Sequence, residues 1–446
     1  KDIHTLVTCD DGDRVLHGVD VLFDGGTVAQ IGSVDPALAD ETVDASRLIV
    51  YPGLVNTHHH LYQYFTRNLK SVQGLELFDW LTALYGIWAH LNEETVRLSS
   101  LCGMAELLKY GCTTCFDQHY VFPRGAGDLL GAQFGAAETL GIRMVASRGS
   151  MSLSKKDGGL PPDSVVQTTD EILHDSREAI ERFHDPAPLS MKQVALAPCS
   201  PFSVTGEVMR QSAALARSCG VRLHTHLCET KDEERFTLEK FGMRPLAYME
   251  SVDFTGSDVF YAHGIYFNDG ELRFLADTGT GVAHCPCSNS KLSSGVARVP
   301  EMLRLGVPLG LAVDGSASND ASNLLEEIRT AYLMHRLRWG KDAPSGYDLL
   351  KIATRGSARL LGREKLGLIA AGCAADAFAI RCDRAELACA ERDEANLFGT
   401  VGYHRPADYV WVNGRLVVHN GEVLTLDEEQ LACEANAEVT RLLERA

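Results

Sequence analysis

Long hydrophobic runs and an excess of basic residues are both missing from this sequence. No stretch reaches the roughly 18 consecutive apolar residues that suggest a membrane-spanning helix. The 42 Lys and Arg residues are outnumbered by 60 Asp and Glu residues, which gives a formal net charge of −18. Nucleic acids and anionic membrane surfaces attract basic faces, so we expect neither of them as a partner.

Regular cysteine spacing and an N-terminal apolar segment are also missing. The 13 cysteines are an odd number without framework spacing, which favours free thiols in a reducing compartment. Two close pairs, Cys112 with Cys115 and Cys285 with Cys287, lie in apolar or strand-like runs, so we expect no cysteine zinc site there. Residues 1–4 lack the apolar core of a signal peptide, and we expect a cytoplasmic protein.

Strand signals are present at both ends of the chain, with an alternating pattern between them. Two apolar runs joined by Asp-Gly-Gly within 19–32, and two joined by Asn-Gly within 409–418, predict β-hairpins. From about 52 to 362, helix-like segments that end at glycine repeatedly precede short apolar strands, and the segment from Asn92 to Gly111 is an example. This pattern predicts a parallel α/β architecture, and its length suits one (β/α)₈ barrel.

The sharpest chemical feature is the motif Pro-Gly-Leu-Val-Asn-Thr-His-His-His over residues 52–60. Residues i and i+2 of a strand point to the same side. His58 and His60 can therefore offer two imidazoles to one metal ion, while His59 faces away. A chance histidine run or a partly buried polar strand end is the alternative interpretation of this triplet alone.

A second strand carries the same His-x-His pattern, at His224 and His226, and is followed by Glu229. Because the functional groups of a barrel lie at the C-terminal ends of its strands, we assign His226 as a metal ligand. His224 lies one layer deeper, where we expect it to pack or to support the ligands. Glu229 lies just past the strand, where it can act as a proton carrier; a solvated carboxylate at the start of a loop is the alternative.

Two further apolar runs end in residues of the same type, His263 and Asp314. Independent capping explains such a pattern, repeated over several strands, poorly. Three imidazoles and one carboxylate suit Zn²⁺, with Fe²⁺ or Mn²⁺ as alternatives, and an open position would hold a water whose pKa falls to about 7. We expect Asp314 and His263 to accept its proton, and Glu229 to protonate a ring nitrogen and then the leaving amine.

These residues resemble the amidohydrolase superfamily, in its branch of cytosine and guanine deaminases and triazine hydrolases. The resemblance covers nearly the whole chain and includes Gly-x-Thr-Thr at 111–114, His-x-x-Glu at 226–229, Ala-His-Gly at 262–264, His-x-Pro-x-Ser-Asn at 284–289 and Asp-Gly-x-x-Ser-Asn at 314–319. It implies a metal-dependent hydrolase barrel over 52–362. It also implies a small β-sandwich domain built from both termini, residues 1–51 and 363–446.

The resemblance further implies a mononuclear metal site with His263 and Glu229 as catalytic partners. The implied ligands are His58, His60, His226 and Asp314. Binuclear relatives use a carboxylated Lys at the end of the fourth strand, and residues 194–200 contain no Lys. We therefore expect one Zn²⁺ per chain, and the resemblance also implies a homo-oligomer.

Within that branch the sequence is most similar to deaminases of 8-oxoguanine. This similarity implies hydrolysis of an oxidised purine, with urate and ammonia as the products. Guanine deaminases typically carry an Arg after the Ala-Pro-like turn, where this chain has Cys199 and Ser200, and the departure points away from guanine itself. The alternative substrates are isoxanthopterin, guanine and a hydroxylated s-triazine such as hydroxyatrazine; an amide or ester hydrolase and a metal-free scaffold are alternatives of other classes.

Several polar and aromatic residues are candidates for contact with a flat heterocyclic substrate. The candidates are Gln63, His119, Arg148, Cys199 and Trp80. The amide of Gln63 offers both a donor and an acceptor, although it can equally tether a loop. His119 can instead support the metal ligands, and Trp80 can simply pack a helix. We expect His284, after another strand, to be a structural hydrogen-bond partner near the metal.

Overall fold

Eight parallel strands form a closed barrel in this computed structural model, which describes residues 1–446. Closure between the last strand and the first uses Thr57, whose backbone N–H and Oγ1 both donate to the carbonyl of Leu311, at 3.3 and 2.9 Å. The predicted (β/α)₈ barrel is thus confirmed. In chain order its strands are Leu54–Asn56, Cys112–His119, Arg143–Ser150, Lys192–Pro198, Leu223–Leu227, Val259–His263, Gly281–His284 and Leu309–Leu311.

A short additional strand pair joins the C-terminal ends of the first and last barrel strands. His59–His60 runs parallel to Asp314–Gly315, with Asp314 opposite His59. The backbone N–H of Asp314 also donates to the carbonyl of His58 at 3.1 Å. This pairing places Asp314 beside the histidine triplet, although more than 250 residues separate them in the chain.

Many of the helices begin at polar caps, and several end at glycine. Asn92 caps the helix Glu93–Lys109 by accepting a hydrogen bond from the backbone N–H of Thr95 at 2.9 Å, as its sequence predicts. The other α-helices of six residues or more are Leu77–Trp88, Leu129–Leu140, Thr169–Phe183, Gly206–Cys219, Lys231–Phe241, Pro245–Ser251, Asp269–Thr278, Pro286–Lys291, Val299–Leu305, Leu324–Trp339, Gly346–Lys351 and Glu428–Arg445. No helix combines the length and the apolar character needed to cross a bilayer.

Both ends of the chain contribute to a seven-stranded outer sheet. Its strands, in spatial order, are Glu422–Val423, Arg415–His419, Tyr409–Val412, Ala377–Arg381, Leu48–Pro52, Thr5–Val7 and Val15–Leu16. The predicted N-terminal hairpin, Asp20–Asp24 with Thr27–Gly32, packs on this sheet through a separate hydrophobic cluster that includes Val28 and Ile369. Both predicted hairpins and the sandwich built from the two termini are confirmed.

The helix Glu428–Arg445 near the C-terminus was not predicted, because only strand signals were identified in that part of the sequence. Leu431, Ala435 and Leu442 form its buried apolar stripe. Their spacing of four and seven residues is typical of an amphipathic helix and was available in the sequence. The helix lies against Glu93–Lys109, where Thr95 Oγ1 donates to Glu438 Oε1 at 2.7 Å.

Candidate metal centre and active-site cavity

Three histidines present their Nε2 atoms to one point at the C-terminal end of the barrel. His60 Nδ1 donates to the carbonyl of Gln118 at 2.8 Å, and His226 Nδ1 donates to the carbonyl of Cys199 at 2.6 Å. A carbonyl oxygen can only accept, so each of these neutral rings carries its proton on Nδ1 and a lone pair on Nε2. The two Nε2 atoms lie 3.2 Å apart, and a cation between them would satisfy both lone pairs.

His58 is held in the same tautomer by a chain of two hydrogen bonds. His224 Nδ1 donates to the carbonyl of Phe260 at 2.9 Å, which leaves His224 Nε2 as an acceptor for His58 Nδ1 at 2.8 Å. His58 Nε2 is buried and has no hydrogen-bond partner. Burial lowers the pKa of His58 well below its ordinary value, so its ring stays neutral and its Nε2 lone pair stays available.

Asp314 completes this group with a carboxylate. Its Oδ1 lies 3.3 Å from His58 Nε2 and 3.4 Å from His60 Nε2, and its Oδ2 accepts a 2.5 Å hydrogen bond from Ser288 Oγ. Although burial opposes ionisation, the neighbouring histidines hold the pKa of Asp314 well below its usual range. An ionised oxygen that faces two nitrogen lone pairs fits a divalent cation, and a His₃Asp donor set suits zinc.

Two further ionisable groups, Glu229 and His263, lie beside this donor set. His263 Nε2 is 3.5 Å from Glu229 Oε2 and 4.0 Å from Asp314 Oδ2, and its Nδ1 donates to Asn289 Oδ1 at 3.0 Å. Burial raises the pKa of Glu229 to about 7. Burial also opposes the charged form of His263, but Glu229 and Asp314 outweigh it and raise the pKa of His263. The pair is therefore suited to proton transfer near neutral pH.

A cavity opens above these groups. Its lining contains no Lys or Arg side chain and combines the polar centre with an apolar wall. The lining residues are His60, Gln63, Leu77, Trp80, Leu81, Tyr120, Cys199, Phe202, His226, Glu229, His263, Leu292, Asp314 and Ser318.

Three of the five residues expected to contact substrate line this cavity: Gln63, Trp80 and Cys199. Gln63 Oε1 and Trp80 Nε1 are buried without a hydrogen-bond partner, so one acceptor and one donor are left for a ligand. The Gln63 amide lies directly against Gly315, where a Cβ atom would collide with it.

Arg148 and His119, which were also expected to contact substrate, do not line the cavity. The Arg148 guanidinium pairs with Asp175 at 2.9 Å and lies 3.7 Å from the centre of the Phe122 ring. His119 Nε2 donates to the carbonyl of Val121 at 2.9 Å. Successive strand residues alternate sides, and both residues share their side with apolar neighbours that pack outward from the barrel.

His284 faces away from the barrel interior. Val282 of the same strand packs in the main hydrophobic cluster outside the barrel, and Ala283 packs in the small cluster inside it. His284 shares the outward side with Val282. Its hydrogen-bond partner is His335, at 3.2 Å between the two Nε2 atoms, and not one of the predicted ligands.

Several residues that were not predicted hold the predicted ones in place. Ser288 and Asn289 belong to a motif that was recognised, but its sequence did not show that they bond Asp314 and His263. Glu233 accepts hydrogen bonds from the backbone at Cys228 and Glu229, and its only sequence signal is an acidic residue at a helix start. Phe202, Leu292 and Tyr120 of the cavity wall were not predicted as site residues.

Comparison with known proteins establishes the class to which this fold and site belong. Residues 49–417 match the model of the amidohydrolase family. The chain therefore belongs to the amidohydrolase family, and the expected metal-dependent hydrolase is confirmed as its class.

Individual relatives in that family act on nitrogen heterocycles. The chain is 47% identical to 8-oxoguanine deaminase of Pseudomonas aeruginosa over 411 residues, 90% of this chain and 89% of that protein. It is 41% identical to hydroxydechloroatrazine ethylaminohydrolase of Pseudomonas sp. (strain ADP) over 456 residues, 99% of this chain and 94% of that protein. The crystal structure of atrazine chlorohydrolase from Arthrobacter aurescens complexed with zinc superposes with a TM-score of 0.95 at 32% identity, covering 98% of this chain and 99% of that chain.

Proposed function

We propose that this protein deaminates an oxidised purine hydrolytically, converting 8-oxoguanine and water to urate and ammonia. The observation that carries the proposal is the convergence of three histidine Nε2 atoms and one Asp314 oxygen beneath a small cavity without basic side chains. The 47% identity to 8-oxoguanine deaminase supports the choice of ring.

We assign His58, His60, His226 and Asp314 as the ligands of one Zn²⁺ per chain, with Fe²⁺ and Mn²⁺ as alternatives. The ion, when bound, supplies a water of lowered pKa as the nucleophile. The Nδ1–H tautomers support this assignment because they direct every Nε2 lone pair to the same point.

Glu229 and His263 then divide the proton transfers. His263 donates its Nδ1–H to Asn289, so its Nε2 is free to accept a proton from the attacking water together with Asp314. Glu229 protonates the ring nitrogen next to the attacked carbon, regains a proton from His263, whose Nε2 lies 3.5 Å away and has taken the water proton, and then protonates the leaving amine. Because burial raises the pKa of Glu229 to about 7, both of its protonation states are populated at neutral pH.

The cavity suits a small uncharged ring. With no Lys or Arg in its lining, it offers no guanidinium or ammonium group to a phosphate or carboxylate of a substrate. Trp80, Leu81 and Phe202 supply apolar contacts for a flat ring, and the unpaired Gln63 Oε1 and Trp80 Nε1 can bond ring N–H and carbonyl groups. We propose Gln63, Trp80 and Cys199 as the substrate contacts.

The experiment is a panel assay of amine release by the zinc-loaded protein. The panel contains 8-oxoguanine, guanine, isoxanthopterin, cytosine and hydroxyatrazine. We expect kcat/KM for 8-oxoguanine to exceed the others at least tenfold, and we expect Glu229→Gln to reduce it by about 10²–10⁴-fold. Inactivity on all five compounds with one metal ion bound per chain would reject the proposed reaction.

A second candidate is the removal of an alkylamino group from a hydroxylated s-triazine. The observation that favours it is the 41% identity to hydroxydechloroatrazine ethylaminohydrolase over 99% of this chain. Alkylamine release from hydroxyatrazine, without ammonia release from 8-oxoguanine, would select this candidate. The same residues would serve, because both substrates lose an amine from a carbon beside a ring nitrogen.

A further inference from the structure

The turn that carries Glu229 is held by a buried carboxylate on the next helix. Glu233 Oε1 accepts from the backbone N–H of Cys228, and Glu233 Oε2 accepts from that of Glu229, both at 2.9 Å. Glu233 is fully buried, and no Lys or Arg lies within ion-pair distance of it. These two backbone groups are the hydrogen-bond partners of its carboxylate.

This use of Glu233 differs from the ordinary role of an acidic residue at a helix start. In three other helices the third residue folds back onto the backbone N–H of its own N-cap; the pairs are Thr168–Glu171, Asn268–Glu271 and Ser345–Asp348. The helix Lys231–Phe241 is capped by the Thr230 side chain. Glu233, its third residue, extends past that cap to the two preceding residues, so its bonds hold the turn.

The same turn is also tied to the segment that follows His263. Cys228 adopts a left-handed backbone conformation with φ of 55°, which turns its carbonyl towards that segment. The carbonyl accepts from the backbone N–H groups of Ile265 and Tyr266, at 2.9 and 3.0 Å. Glu233 therefore holds the turn at its backbone N–H groups, and the segment after His263 holds the same turn at the carbonyl of Cys228.

We propose that Glu233 is a positioning residue that directs the Glu229 carboxylate to its place 3.5 Å from His263 Nε2. This inference rests on the proposed function, in which Glu229 moves the protons. A carboxylate offers an acceptor to both N–H groups, whereas a Gln side chain offers one acceptor and turns an NH₂ group towards the other N–H. The turn would then shift, and small misplacements of reacting groups lower the rate strongly.

The test is a double-mutant cycle on the zinc-loaded enzyme with 8-oxoguanine. We expect Glu233→Gln to lower kcat at least tenfold, with KM within twofold and metal content unchanged. In the Glu229→Gln background the same substitution is expected to change kcat less than twofold, because its effect passes through Glu229. Glu171→Gln, at the same position of a surface helix, is the matched control and should leave kcat unchanged.

Two outcomes overturn the inference without touching the proposed function. One is an unchanged kcat in Glu233→Gln; the other is an equal loss of kcat with and without the Glu229 carboxylate, which would show a purely structural role. If Glu233→Gln does not fold, Glu233→Asp, which keeps the charge but is one methylene shorter, is carried through the same cycle. Full activity in Glu229→Gln alone would instead overturn the proton-transfer role in the proposed function.

Discussion

The two sides of the cavity are built by different means. Its floor is the polar group of His60, His226, His263, Asp314 and Glu229, with His58 directly beside His60 and Asp314, and the four histidines are fixed by hydrogen bonds. Its roof is the apolar group of Leu77, Trp80, Leu81, Phe202 and Leu292, which belongs to a hydrophobic cluster of 19 residues separate from the main cluster of 82.

Because of this difference, the floor determines the reaction and the roof determines which substrate is bound. The floor is rigid because each imidazole is held through its second nitrogen, and that geometry sets the metal and the proton transfers. The roof is held by side-chain packing on loops and on the helix Leu77–Trp88, where substitutions alter the shape offered to a ring. We therefore expect floor substitutions to abolish turnover and roof substitutions to change which ring is bound.

The largest effect is expected from Asp314→Asn. The substitution removes the negative charge between His58 Nε2 and His60 Nε2, and the amide is a poor metal ligand. We expect the bound metal to be lost and kcat to fall by about 10⁴-fold or more. Elemental analysis and amine release measure the two effects, with the exposed Asp163→Asn as control. Full metal content with full activity would show that Asp314 is not a ligand.

A smaller effect on the floor is expected from His224→Phe. This change removes the acceptor of the His58 Nδ1 proton while keeping a ring in the barrel interior. Because such supporting bonds tune ligand basicity, we expect metal affinity to fall by about 10–100-fold. His284→Phe is the matched comparison, since His284 bonds His335 and no ligand, and it should leave affinity within twofold. Competition with a chelator measures both, and equal losses would refute the distinction.

In the roof, Trp80→Phe keeps an aromatic ring and removes the buried, unpaired Nε1–H. If this N–H bonds the substrate, its loss costs about 1 kcal/mol, which corresponds to roughly a fivefold rise in KM. We expect kcat and metal content to stay near their original values, because Trp80 bonds no residue of the floor. Steady-state kinetics on 8-oxoguanine and isoxanthopterin test this, and a loss of metal would break the separation of roof from floor.

The floor could be predicted from the sequence because strand-end histidines leave a clear pattern. Strand alternation explains why Arg148 lies outside the cavity: Val145 faces the barrel interior, so Arg148, three residues further along the strand, faces out. The same alternation places the side chain of His119, two residues after the outward-facing Asp117, outside the barrel interior. Alternation alone would also place the side chain of His263 outside it. His263 nevertheless lines the cavity, because its backbone adopts a left-handed conformation with φ of 73°. No sequence pattern predicted this local conformation.

The roof was largely unpredictable because it is assembled by tertiary packing. Phe202 and Leu292 follow different barrel strands and meet only in the folded molecule. The hydrogen-bond partners of the floor were hidden for a related reason: they are backbone carbonyls, at Gln118 and Cys199, and any residue type supplies one.

The smallest kinetic effect is expected from Arg148→Met. This substitution tests whether an outward-facing residue at the end of a barrel strand contributes to the active site. The Arg148 guanidinium is buried between Phe122 and Asp175 and contacts no residue of the cavity lining. Removing one partner of such a pair destabilises the fold, so we expect Tm to fall by a few degrees. Because the floor and roof stay in place, kcat and KM should remain within twofold at a temperature well below Tm. A tenfold rise in KM with an unchanged Tm would instead mean that Arg148 reaches the ring, and that the boundary of the roof lies further out than Trp80 and Phe202.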